Sequence, residues 1–194
     1  MTYSNPSTQT RAVFLGDSIT KEWADSNPEF FSKNLYKAKG INGETTSQIL
    51  TRFNTDVLDL NSKVVVVLAG TNDIAGNSGP TSNEMIQANL SKMCDLAIEH
   101  DIKVILCSIL PTDDYPWRKG LKPAQRIIDI NTWMKAYCIK KNHSYLDYWS
   151  AMAHENKGMK NKYTYDGVHI TQEGYKVMEK LVEPLITETL SKRF

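Results

Sequence analysis

Ser18, Asp166 and His169 are side chains of the types that can together drive acyl transfer. A serine hydroxyl is a weak nucleophile until a base takes its proton, and imidazole is the side chain suited to that work near neutral pH. His169 closes the run Asp166-Gly167-Val168-His169, a turn ahead of a helix, with a carboxylate three positions upstream. That carboxylate can accept the Nδ1–H bond, fix the tautomer and stabilise the imidazolium formed during attack. For an isolated Asp-x-x-His, a solvated turn is the commoner explanation. The remaining histidines have ordinary explanations: His100 and His143 fall near predicted helix C-termini, where a cation suits the macrodipole, and His154 lies in a polar loop.

A tetrahedral intermediate needs donors aimed at its oxyanion, each worth about 3 kcal/mol. The chain offers the backbone N–H of Ser18 at a helix start, the backbone N–H of Gly43, and the side-chain amide of Asn72. Glycine at position 43 lets the backbone come close to a substrate. These groups lie in four short polar islands, in the order Gly16-Asp17-Ser18, Gly40 to Thr46, Gly70-Thr71-Asn72-Asp73, and Asp166 to His169. Each island alone passes as turn chemistry. Their order and their placement just past strands make coincidence a poor explanation. No GxSxG, Walker A, GxGxxG or HExxH run is present, and the residues call for no cofactor and no metal.

The elements needed to position the islands follow from the apolar pattern. Ala12–Leu15, Leu35–Lys39, Val64–Leu68, Lys103–Ile109 and Ser144–Asp147 read as strands, and Val64–Leu68 is apolar on both faces as in a central parallel strand. Helices are expected over Met85–His100, over Pro123–Lys141 and from Thr171, a good N-cap, to about Leu190. Ser47–Leu60 places Ile49, Leu50, Phe53, Val57 and Leu58 on one helical face. Residues 151–163 are polar and poorly periodic, a loop with one short helix. Alternating strands and helices without a repeat or linker predict a three-layer α/β/α fold of one domain over 1–194, with a core at about 11–190. Its active edge lies at the carboxyl ends of the strands.

The 194 residues are 41% hydrophobic and 23% charged with a net charge of +1, which suits a soluble globular protein and favours neither nucleic acid nor an anionic membrane. No apolar run is long enough to span a bilayer, and residues 1–7 lack a signal-peptide core. The expectation is therefore a cytoplasmic protein as it stands, or a periplasmic or secreted one if a leader has been removed. Cys94, Cys107 and Cys138 are odd in number and widely spaced, and read as buried small hydrophobes.

Gly16-Asp17-Ser18, Gly43, Gly70-Thr71-Asn72-Asp73 and Asp166-Gly167-Val168-His169 together resemble the four blocks of the SGNH hydrolases, the GDSL esterase and lipase family. The compact chain is also similar to the platelet-activating-factor acetylhydrolase-like branch. The resemblance implies a flavodoxin-like five-stranded parallel sheet, a Ser18–His169–Asp166 triad, and an oxyanion hole from Ser18, Gly43 and Asn72. It also implies a serine esterase working through an acyl-enzyme. Asp17 and Asp73 are read as supports of their loops.

The substrate is less constrained. Loop 111–120 carries Tyr115, Trp117, Arg118 and Lys119, Trp23 follows the nucleophile turn, and Tyr163 and Tyr165 precede Asp166. Trp23, Tyr115, Trp117, Arg118 and Tyr165 are the candidate substrate contacts, since rings beside polar groups suit sugar faces or aryl groups; ordinary packing explains them equally well. The expectation is a short-chain, acetyl-type esterase acting on a small-molecule or oligosaccharide ester. Alternatives are a lysophospholipase or thioesterase for longer chains, and a non-catalytic binding domain on the same fold. Oligomeric state is not legible in the sequence.

Overall fold

The computed structural model describes residues 9–193, so the polar lead at 1–7 lies outside the described residues. β1 (Ala12–Gly16), β2 (Tyr36–Gly40), β3 (Val64–Leu68), β4 (Lys103–Cys107) and β5 (Ser144–Leu146) form one sheet of order β2-β1-β3-β4-β5. Every pairing is parallel. This is the flavodoxin-like order, with its switch point beside β1. The central strands are apolar on both faces because both faces are covered. Val13, Leu15, Val65, Val67, Val104 and Leu106 enter one core, whereas Ala12, Phe14, Val64, Val66, Ile105 and Cys107 enter the other.

On the first face pack α3 (Thr46–Thr51), α4 (Phe53–Asp56), α5 (Thr71–Ala75), α6 (Asn83–Glu99) and α7 (Ala124–Lys141). The second face carries α1 (Ser18–Ser26), α2 (Pro28–Lys33), α8 (Tyr148–Met152) and α9 (Gln172–Ser191). All three cysteines are buried and free, filling these cores as small apolar side chains do.

Several boundaries depart from the pattern for identifiable reasons. β2 begins after Leu35, not at it, because Leu35 sits at φ 58° and is a turn residue. β4 stops at Cys107, since the Asn131 amide takes over the backbone of Ile109: Ile109 N–H donates to Oδ1 at 2.8 Å and Nδ2 donates to the Ile109 carbonyl at 2.9 Å. The expected helix over Ser47–Leu60 exists only in pieces. It breaks at Arg52 (φ −102°, ψ 6°), resumes as α4, and ends in a 3-10 turn at Leu58–Leu60. The Arg52 guanidinium is turned inward there, onto the ends of two strands.

The strand ends lie level, with Gly16 opposite both Gly40 and Leu68. Gly40 is required by contact. A Cβ on it would stand 2.3 Å from the Lys21 nitrogen and 2.6 Å from the Asp17 carbonyl oxygen, both backbone atoms of the nucleophile turn and α1. Gly40→Ala is therefore expected to lower stability by about 2–3 kcal/mol through overpacking. It should also displace α1. A urea midpoint and near-UV dichroism like those of wild type would contradict this contact.

Candidate active site

Asp17 starts the site by ending β1. Its Oδ1 accepts the Ile19 N–H at 3.0 Å, an N-cap that turns the chain into α1 and leaves Ser18 as the first helical residue. Tyr175, on α9, donates its hydroxyl to the Ile19 carbonyl at 2.9 Å and holds that turn from beneath. His169 reaches the same place from the loop before α9. That loop is folded by the Asp166 carboxylate, whose Oδ1 accepts the backbone N–H groups of Val168 at 2.9 Å and His169 at 2.7 Å.

The result is a continuous hydrogen-bonded line. Asp166 Oδ2 lies 2.7 Å from His169 Nδ1, and His169 Nε2 lies 3.1 Å from Ser18 Oγ. With Nδ1–H donated to the carboxylate, the Nε2 lone pair faces the serine hydroxyl. This is the arrangement that serine nucleophilic catalysis requires. Partial burial opposes ionisation of Asp166. The His169 ring, the two backbone N–H donors and the charge of the imidazolium outweigh it and hold the carboxyl below its usual range.

The second and third islands meet beside Ser18. Gly43 occupies the third position of a turn closed by the Glu44 N–H on the Ile41 carbonyl at 3.4 Å, and its φ of 75° is one that glycine adopts without strain. Asn72, on α5, is buried. Its Nδ2 donates to the Glu44 carbonyl at 3.0 Å and faces Asp17 Oδ2 at 3.3 Å. Asp73 ties the third island to α3, accepting the Thr46 N–H at 2.8 Å and the Thr46 hydroxyl at 2.6 Å. Burial raises the Asp73 pKa, in part offset by those bonds.

Arg52 carries a role that the pattern did not disclose. Its Nε donates to Glu44 Oε2 at 2.6 Å and its Nη1 to Asp56 Oδ2 at 2.5 Å. Nη1 and Nη2 also cap the Lys39 and Gly16 carbonyls at 3.1 and 2.8 Å. One guanidinium thus joins the ends of β1 and β2 to the residue after Gly43. The only sequence signal was a lone arginine on an amphipathic segment, which ordinarily reads as solvated.

The expected substrate contacts divide. Trp23 is 1% exposed, stacked between Phe30 and Tyr175, with its Nε1–H donated to Glu179 at 3.0 Å. It is a core residue with no face for a ligand. Tyr115 is likewise fully buried, its hydroxyl 3.0 Å from that of Thr71. Arg118 spends its Nη1 on the carbonyls of Ala75 and Gly76 at 3.0 and 2.9 Å, pinning loop 111–120 to the end of α5. Trp117 and Tyr165 are exposed, and their ring centroids lie 6.0 and 5.8 Å from that of His169. Tyr165 is held there by its hydroxyl, which donates to Glu22 at 3.0 Å.

Residues 14–177 match the sequence profile of the GDSL-like lipase/acylhydrolase family, and the chain belongs to that family of hydrolases. The fold superposes on a GDSL-like lipase from Bacteroides thetaiotaomicron with a TM-score of 0.91 at 40% identity, covering 95% of this chain and 91% of that one. The platelet-activating factor acetylhydrolase IB subunit alpha2 of Rattus norvegicus is 27% identical over 187 residues, 91% of this chain and 78% of the relative. A shorter similarity, 36% over 75 residues, joins it to the uncharacterised lipoprotein YqeF of Bacillus subtilis; it spans 37% of this chain and 31% of that protein. Among the described residues no helix is long and apolar enough to cross a membrane.

Asp17 makes a pH-dependent contribution to stability. Burial is the largest influence on its carboxyl, and although the Ile19 N–H and the charge of His169 pull the other way, the pKa is pushed up to about 7. Between about pH 4 and 7 the unfolded chain has released this proton while the folded one retains it. Stability therefore falls as pH rises through that window and levels off above it, by an amount on the order of 4 kcal/mol. Asp17→Asn keeps a carbonyl for the Ile19 N–H and removes the titration. The stability difference between wild type and Asp17→Asn, from urea midpoints at pH 4 to 8, should shift in favour of the variant with rising pH. A difference independent of pH would refute it.

Proposed function

We propose that this hydrolase is a serine esterase that removes short acyl groups, acetyl in particular, from a carbohydrate or another small alcohol. The observation that carries the reading is the unbroken line Asp166–His169–Ser18, with links of 2.7 and 3.1 Å. Ser18 Oγ attacks the ester carbonyl as its proton passes to His169 Nε2, and Asp166 stabilises the imidazolium. The Ser18 and Gly43 N–H groups and the Asn72 amide receive the oxyanion. Collapse of the tetrahedral intermediate expels the alcohol, which takes the proton from His169, and leaves an acyl-enzyme. Water then repeats the sequence with His169 as base, releasing the acid.

Asn72 Nδ2 already has two acceptors, the Glu44 carbonyl and the Asp17 carboxyl, and the longer of these bonds, 3.3 Å to Asp17, is the one to yield to the oxyanion. The short-acyl reading draws support from the void beside the nucleophile turn. It is lined by Asp17, Ile19, Leu68, Ala69, Thr71, Ile109 and Leu110 and holds only about 10 Å³. The similarity to an acetylhydrolase subunit points the same way. Trp117 and Tyr165, exposed on either hand of His169, offer flat faces to the alcohol portion, as sugar rings and aryl groups require.

The test is hydrolysis of p-nitrophenyl esters from acetate to decanoate by wild type and Ser18→Ala. Acetate should be cleaved fastest, with kcat/KM falling along the series, and the variant should lose at least about a thousandfold. A preference for long chains would move the assignment to lysophospholipid or thioester substrates. Activity retained by Ser18→Ala would overturn the serine mechanism, and inertness of wild type toward every ester would favour a binding domain.

A further inference from the structure

Asn77 stands outside all four islands, yet its side chain touches two of them and the rim of the site. A side-chain amide carries an acceptor oxygen and a donor nitrogen, and here both ends are engaged. Asn77 Nδ2 donates to Asn72 Oδ1 at 2.8 Å and lies 3.5 Å from the Gly43 carbonyl. Asn77 Oδ1 accepts the indole N–H of Trp117 at 3.0 Å. The backbone N–H of Asn77 donates to the Asn72 carbonyl at 3.0 Å, so the two residues are locked together twice.

The consequence for Asn72 is one of orientation. With Oδ1 held by Asn77, the Asn72 nitrogen faces the other way, toward Glu44 and Asp17, which is the side of the nucleophile turn. The consequence for Trp117 is one of placement. Its ring is 45% exposed and lies beside His169, and its single polar atom is tied down by Asn77. Arg118 fastens the neighbouring backbone to the end of α5, so the loop and the Asn72 helix form one assembly with Asn77 at the joint.

Resting on the esterase reading above, we infer that Asn77 is a positioning residue with two separable duties. Its nitrogen keeps the donor end of Asn72 toward the oxyanion, and its oxygen seats Trp117 as the wall against which the alcohol portion of the ester lies. The first duty acts on the transition state and is read in kcat. The second acts on ground-state binding and is read in KM.

Three variants separate these duties, assayed on an aryl acetate. Asn77→Asp keeps an acceptor for Trp117 but sets a carboxylate oxygen against Asn72 Oδ1; kcat should fall about tenfold or more, with KM little changed. Trp117→Phe keeps a ring but removes the indole N–H, and should raise KM severalfold, more than it changes kcat. Asn77→Ala loses both contacts and should show both defects, and adding Trp117→Phe to it should raise KM no further, because the pair shares one interaction. A kcat within twofold of wild type in Asn77→Asp, or KM effects that multiply in the double variant, would overturn the inference.

A readout independent of turnover guards against failure of the esterase reading itself. The indole ¹⁵N–¹H resonance of Trp117, assigned by its disappearance in Trp117→Phe, should move in Asn77→Ala and hold its position in Asn77→Asp. If wild type cleaves no ester, the functional reading falls and this resonance alone decides whether Asn77 seats the ring. An unmoved resonance in Asn77→Ala would refute the seat even in an active enzyme. Thermal midpoints of the variants near that of wild type establish that the effects are not those of unfolding.

Discussion

Ser18 is positioned by a contact between main chains. The end of β2 and the start of α1 approach so closely at Gly40 that no side chain, not even a methyl group, fits between them. That approach sets the nucleophile turn against the level ends of β1, β2 and β3, and everything else in the site is arranged around it. Gly16 is crowded in the same way, by the Thr20 side chain and the Leu68 carbonyl. The glycines that end these strands serve less to bend the chain than to let two backbones lie side by side.

Around that contact the polar groups are joined in a way that leaves few of them independent. Asp17 caps α1 and faces Asn72; Asn72 bonds the Glu44 carbonyl; the Glu44 carboxylate meets Arg52; and Arg52 returns to the Gly16 carbonyl beside Asp17. The ring of bonds closes on itself across four segments of chain. Buried polar networks of this kind are costly when one member is missing and rigid when all are present. Rigidity is what an oxyanion site needs, since its donors must be aimed before the charge develops.

The same economy explains why the aromatic residues sorted as they did. Trp23 and Tyr115 are near the site in sequence and in space, but both support it from within. Trp23 stacks between Phe30 and Tyr175 under α1, and Tyr115 meets Thr71 beneath α5. Trp117 and Tyr165 alone among the expected rings reach the surface beside His169. An aromatic residue one or two positions from a functional turn is as well suited to hold that turn as to meet a ligand. Residue type does not separate the two uses.

Sheet, strand number and the four polar islands were legible in the chain because each leaves a local mark. A strand covered on both faces is a short unbroken apolar run, as in Val64–Leu68, and a strand-end loop is a cluster of glycine and small polar residues. The pairing of Asp166 with His169 was legible for the same reason, lying within a single turn. What the chain did not disclose are interactions between segments far apart in sequence. Arg52 read as one polar residue on an amphipathic stretch, yet it breaks that helix and gathers the ends of two strands. Asn131 ends β4 from a helix 22 residues away, and Asn77 reaches Trp117 across 40. Local pattern determined the elements and named the reactive groups. Only the tertiary structure decided how donors and acceptors paired, because hydrogen bonding depends on distance and direction in space and leaves no period in sequence.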